Sequence, residues 1–239
     1  MNTTDGSPLP ALTFVYSLSP ESGIDTPTVA CFDNATLQID GTASSPGMAF
    51  EILARVTASG HGASVACTPS GSNATIAVTG ASAAWITWVG GTNYDIDAGD
   101  AAHGYSFQGG DPHDALVALL APATAASATY DGLVAAHVAD YAGLMTQFAL
   151  DLGQTPDLSA TTDQLRSAYQ TDVGNPYLEW LVFNFGRYLL ASSSRGLLPA
   201  NLQGKWGKDS SNAWGAGESR QDGPKESRRS LTLSLCRLS

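Results

Sequence analysis

The chain has 239 residues, enough to bury a core in one or two domains, of which 14% are charged, with a formal net charge of −11. That balance repels phosphate backbones and no basic run precedes residue 220, so no nucleic-acid partner is expected. No stretch approaches the roughly 20 apolar residues of a membrane span; the nearest, Leu178 to Ala191, is interrupted by Asn184 and Arg187, so no membrane partner is expected either.

The N-terminal MNTTDGSPLPAL has neither the basic nor the apolar region of a secretory signal. Asn2, Asn34 and Asn73 nevertheless each open an Asn-x-Ser/Thr sequon, a hint of secretion. Leu12 to Leu18, Thr28 to Phe32 and Thr36 to Ile39 read as strands, separated by turn clusters such as SPESG and TASSPG. Met48, Phe50, Ile52, Ala54 and Val56 alternate with Glu51, Arg55 and Thr57, a period of two that predicts one buried and one solvated face. Ala74, Ile76 and Val78 repeat the pattern, and Ala83 to Val89 makes a more apolar strand. Trp85 and Trp88 are three apart on it and point to opposite faces. Short strands at this spacing predict a β-sandwich. Cys31 and Cys67 fit either a disulfide or two small buried thiols, while Cys236 would be unpaired.

Acids cluster next, in GTNYDIDAGD at 91 to 100, but the glycine is one position late for a calcium loop and Gly104 stands where the bidentate Glu belongs. A solvated loop is expected instead. Helices then take over. Asp111-Pro112 starts a short one that runs through Leu120, with Asp111 as N-cap. Val134, Val138, Tyr141, Leu144, Met145 and Phe148 make one apolar stripe over about 129 to 152. Thr161 and Gln164 have capping-box spacing. Asn175-Pro176 caps a helix over 176 to 192 that is apolar on nearly all sides and therefore expects neighbours on nearly all sides.

Chemistry motifs are sparse. His61, His103, His113 and His137 form no i, i+4 zinc pair, and no CxxC accompanies them, so no metal or cofactor is expected. His137 with Asp140 reads first as a packed or capped pair and only second as a catalytic dyad. No GxSxG elbow occurs, and Gly196 with Gly204-Lys205 is spaced too widely for a phosphate loop. Among the acids, Glu179, near the start of the apolar helix, has the best claim to a buried position and hence to a glycosidase-type role.

Charge balance then reverses. Residues 1 to 216 hold six Lys or Arg against nineteen Asp or Glu, whereas 217 to 239 hold five against three. The chain reads as ending in a different sequence from the one it began.

Three segments carry a resemblance: WITWVGGTNYD at 85 to 95, HVADY at 137 to 141, and above all NPYLEWLVFNFGRYLLASSSRGLLPANLQGKW at 175 to 206. From about Cys31 to Ala216 the sequence resembles fungal members of glycoside hydrolase family 95, the α-L-fucosidases. The resemblance implies a secreted, extracellular enzyme with an N-terminal β-sandwich, a helical linker, an (α/α)6 barrel and a C-terminal β-domain. It implies hydrolysis of terminal α-L-fucosyl linkages, typically α-1,2 to galactose, with inversion. A Glu would act as general acid, and a water would be activated through an Asn polarised by an Asp.

On this basis the expected fold class is an α+β multidomain fragment, truncated at both ends: part of a β-sandwich (1–120), a helical linker (121–172), the first helices of an (α/α)6 barrel (173–216), and an aberrant, disordered tail (217–239). Asn201, Gln203, Trp206 and Trp214 would lie near the barrel mouth, where an aromatic face can stack on a sugar. The Asp-Tyr-His-x-Asn-x-Asn motif carrying the family's catalytic asparagines should follow Ala216, where Gly217-Glu218-Ser219-Arg220 stands instead. A retained intron or shifted frame would account for that. A fucosylated oligosaccharide is thus the expected partner of the intact enzyme, with no catalytic residue in this chain. The rival reading is a non-catalytic carbohydrate-binding or docking sandwich.

Overall fold

The computed structural model describes residues 3, 6–18, 25–43, 47–126, 129–195 and 200. Seven strands come first: β1 Leu12–Val15, β2 Thr28–Asp33, β3 Thr36–Ala43, β4 Met48–Ser59, β5 Ser64–Ser70, β6 Asn73–Thr79 and β7 Ala83–Thr92. Four α-helices follow: α1 His113–Ala126, α2 Tyr130–Met145, α3 Thr162–Ala168 and α4 Pro176–Ser193. The described residues up to Leu133 form one compact unit and those from Val134 a second.

In the first unit the strands build two antiparallel sheets, ordered β1-β6-β5 and β2-β3-β4-β7. Alternate side chains meet between them. Leu12, Phe14, Ile76 and Val78 of the smaller sheet and Leu37, Ile39, Phe50, Ile52 and Val56 of the larger make one buried cluster. Each such fully buried side chain stabilises the fold by about 1.5–3 kcal/mol relative to exposure. Cys31 and Cys67 form a disulfide with a Cα–Cα distance of 5.9 Å, joining β2 to β5 and so one sheet to the other.

The expected solvated face of β4 is not solvated. Phe50 through Ala54 are all buried because α1 lies on the outer face of the larger sheet, where Leu116 and Leu120 pack on Leu53 and Val89. Gly91 permits the approach: a Cβ there would sit 3.3 Å from Leu116 Cδ2. α1 also runs on to Ala126 instead of stopping at Leu120. Pro122 lacks the N–H that would bond to the carbonyl of Ala118, and Ala118 is exposed to solvent.

β5 is a strand that alternation did not reveal. Its residues, Ser-Val-Ala-Cys-Thr-Pro-Ser, are small and mostly exposed, and it forms an edge, where Pro69 is tolerated.

In the second unit, α2 ends at Met145, earlier than the stripe predicts, and its apolar residues Val134, Val138 and Leu144 are exposed. α3 has the full capping box: Thr161 accepts from Gln164 N, and Gln164 accepts from Thr161 N. Among the described residues no single helix is long and apolar enough to cross a membrane.

Candidate functional site

The segment from Asn175 opens with α4. Asn175 has extended backbone and accepts from Leu178 N at 2.9 Å, while Pro176 opens the first turn. Glu179 reaches back to accept from Asn175 N at 3.1 Å and from the Tyr169 hydroxyl at 2.9 Å. The carboxylate therefore serves the helix start and holds the preceding loop, and its bond to Tyr169 raises that phenol above its ordinary range.

Arg187, the cation inside this apolar helix, donates to Met145 O at 3.0 Å and Phe148 O at 3.1 Å. It satisfies carbonyls at and just past the end of α2 while lying over the rings of Phe148 and Phe183.

His137 and Asp140 do not make a dyad. Asp140 receives both guanidinium nitrogens of Arg195 at 3.0 and 2.7 Å, which hold its carboxyl below the usual range. His137 instead stacks with Tyr141 and meets Tyr188 edge-on. Other acids of this unit close local turns: Asp151 accepts from Gly153 N, and Asp157 from Ser159 and Ala160.

Within the 91–100 loop, Asp95 caps a 3-10 turn over Ile96–Ala98, and Asp100 caps another over Ala101–His103. No group of three or more His, Cys, Asp or Glu among the described residues could hold a metal ion.

Trp85 and Trp88 fall on opposite faces of β7. The register pairs Trp88 with Ala54 on the inner face and Trp85 with Thr57 on the outer, so they offer no shared aromatic platform.

Two features escaped the sequence. Glu51 is buried yet ionisable, and its Oε1 lies 2.8 Å from His113 Nδ1 at the start of α1. Alternation put Glu51 toward solvent; its one signal was Leu53, an apolar residue on the same face. Beside this pair opens a cavity of about 300 Å³ lined by Asp40, Phe50, Glu51, Asn93, Asp111 and Pro112. Burial pushes the Asp40 carboxyl up, with the Asp111 charge adding to it. Asn201, Gln203, Trp206 and Trp214, and the tail 217–239, lie outside the described residues.

Residues 129–218 match the glycosyl hydrolase family 95 catalytic domain. Over 196 residues the chain is 34% identical to the "Probable alpha-fucosidase A" of Aspergillus niger (strain ATCC MYA-4892 / CBS 513.88 / FGSC A1513), covering 80% of this chain and 24% of that protein. It is 36% identical over 153 residues to the "Probable alpha-fucosidase A" of Aspergillus oryzae (strain ATCC 42149 / RIB 40), covering 62% of this chain and 20% of the relative.

Through residues 129–218 the chain carries part of a glycoside hydrolase family 95 catalytic domain. It spans about a quarter or less of the length of these relatives. The family 95 match takes in α2, α3 and α4 and ends at residue 218, next to the point where the charge balance reverses. Antiparallel sheets followed by helices are what the strand-then-helix reading anticipated. The segment Asn201 to Trp206 comes after α4 in sequence, and the Asn175 cap, Glu179 and Arg187 support that helix.

Proposed function

We propose that this chain is part of an extracellular, inverting α-L-fucosidase acting on terminal α-1,2-linked fucose of oligosaccharides, and that as this polypeptide it does not hydrolyse them. The observation that carries the reading is the family 95 catalytic-domain match through α2–α4. The names of the two fungal relatives supply the substrate class.

In this reading 1–120 is part of the N-terminal sandwich, 121–172 a helical linker and 173–216 the start of an (α/α)6 barrel, with an unrelated tail beyond. Asn201, Gln203, Trp206 and Trp214 lie near the substrate, the indoles stacking on a sugar face. Loss of activity follows from chemistry. The motif Asp-Tyr-His-x-Asn-x-Asn occurs nowhere in the 239 residues, so nothing positions the attacking water.

Incubating the purified chain with a 2′-fucosylated oligosaccharide should release no fucose above a blank. Release that scales with protein and survives repurification would overturn the inactivity.

A further inference from the structure

We propose that Asn73 is an N-glycosylation site of this chain and that Asn34, although it opens an equivalent sequon, keeps its amide. Asn73 follows the two-residue turn Gly71-Ser72 between β5 and β6, Gly71 having a φ of +64°. It is exposed, and its side-chain oxygen accepts from Ala74 N at 2.8 Å. Its Nδ2 has no acceptor among the described residues. Thr75, the sequon hydroxyl, lies two residues on and so on the same outward face of β6, while Ala74 and Ile76 face the core.

That outer face of the smaller sheet includes Thr13, Val15, Thr68, Thr75, Ala77 and Thr79. The equivalent face of the larger sheet is covered by α1. Small hydroxyl-bearing side chains give a sugar chain a surface to lie over without displacing packed apolar groups.

Asn34 is differently placed. Its Nδ2 donates to Val65 O at 3.0 Å and its Oδ1 accepts from Cys67 N at 3.4 Å, tying the β2–β3 turn to β5 beside the disulfide. Its sequon partner Thr36 is fully buried, with the hydroxyl accepting from Arg55.

The same disulfide belongs to an oxidising compartment, where the modification occurs. Transfer forms a bond from Asn73 Nδ2 to the anomeric carbon of an N-acetylglucosamine. It breaks that carbon's bond to a lipid-linked diphosphate, which leaves with the electron pair, and the amide gives up one proton.

The assignment rests on secretion of the chain, so the test supplies a secretion signal ahead of all 239 residues in a yeast host. Peptide N-glycosidase digestion in heavy-oxygen water then maps occupied sites by mass, in both the secreted and the retained cellular pools. Asn73 should appear as labelled Asp and Asn34 as unmodified Asn; N73Q and T75A should each lose one glycan step in gel mobility, and N34Q none. A bare Asn73, or Asn34 occupied to the same extent, overturns the assignment. Neither result bears on whether the family 95 segment contacts fucose.

Discussion

His113 sits where a single proton changes the attachment of a helix. Its Nδ1 faces the buried Glu51 carboxylate of β4, its ring meets Phe32 of β2 edge-on, and Asp40 on β3, Asp111 before α1 and Asp114 on α1 complete the charged surroundings. The Glu51 hydrogen bond, helped by those negative charges and opposed by desolvation, holds the His113 pKa above its ordinary value. A histidine raised on folding contributes stability that is fully present below its unfolded value, about 6.5, and is lost as pH rises through the folded value. The denaturant midpoint of the sandwich should therefore fall as pH is raised from mildly acidic to mildly alkaline. H113N, which cannot titrate, should remove that slope while keeping a side-chain donor. A slope unchanged in H113N would show that the pair is not its source.

At the scale of elements, the disulfide does what strand pairing cannot, because β2 and β5 belong to different sheets. With its ends separated by 36 positions in sequence, the chain-entropy account gives it about 4 kcal/mol of stabilisation. C31S/C67S should lose roughly that in urea titration; a loss under about 1 kcal/mol would mean that the sheets hold together through their core alone. Sequence reading found β4 and β6 because their side chains alternate, β7 and α4 because they are densely apolar, and the Thr161 and Asn175 caps because capping chemistry is local. It missed β5, whose small residues carry no apolar alternation, and it put Glu51 in solvent because the covering helix begins 62 residues later. Glu179 shows the converse limit. Its place near the start of an apolar helix suggested burial, whereas it is exposed and its partners are a backbone amide and a phenol that fix the helix start. The residues proposed to lie near substrate are named only by the resemblance the 175–206 segment carries, since no local rule assigns Asn201 or Trp206 a role.

At the scale of the molecule, the helices of the second unit carry apolar surface with nothing over it among the described residues. On α4, Val182 and Phe185 are each 58% exposed and Leu190 is 60% exposed, and on α2 Val138 is 56% exposed. Val182, Phe185 and Leu189 recur at three and four and so share one side of the helix. Contiguous apolar surface of this kind drives association, because burying each such side chain is worth on the order of 1 kcal/mol or more. The full chain should therefore self-associate with rising concentration in analytical ultracentrifugation. V182K/F185K should shift it toward monomer with little loss of helix signal, since both positions already face water. The glycan proposed at Asn73 lies in the other unit and should leave this behaviour unchanged, which separates a solubilising sugar from a covered helix face as the cause of any monomer. A monodisperse, cooperatively melting monomer at every concentration would refute the idea that these faces need a partner.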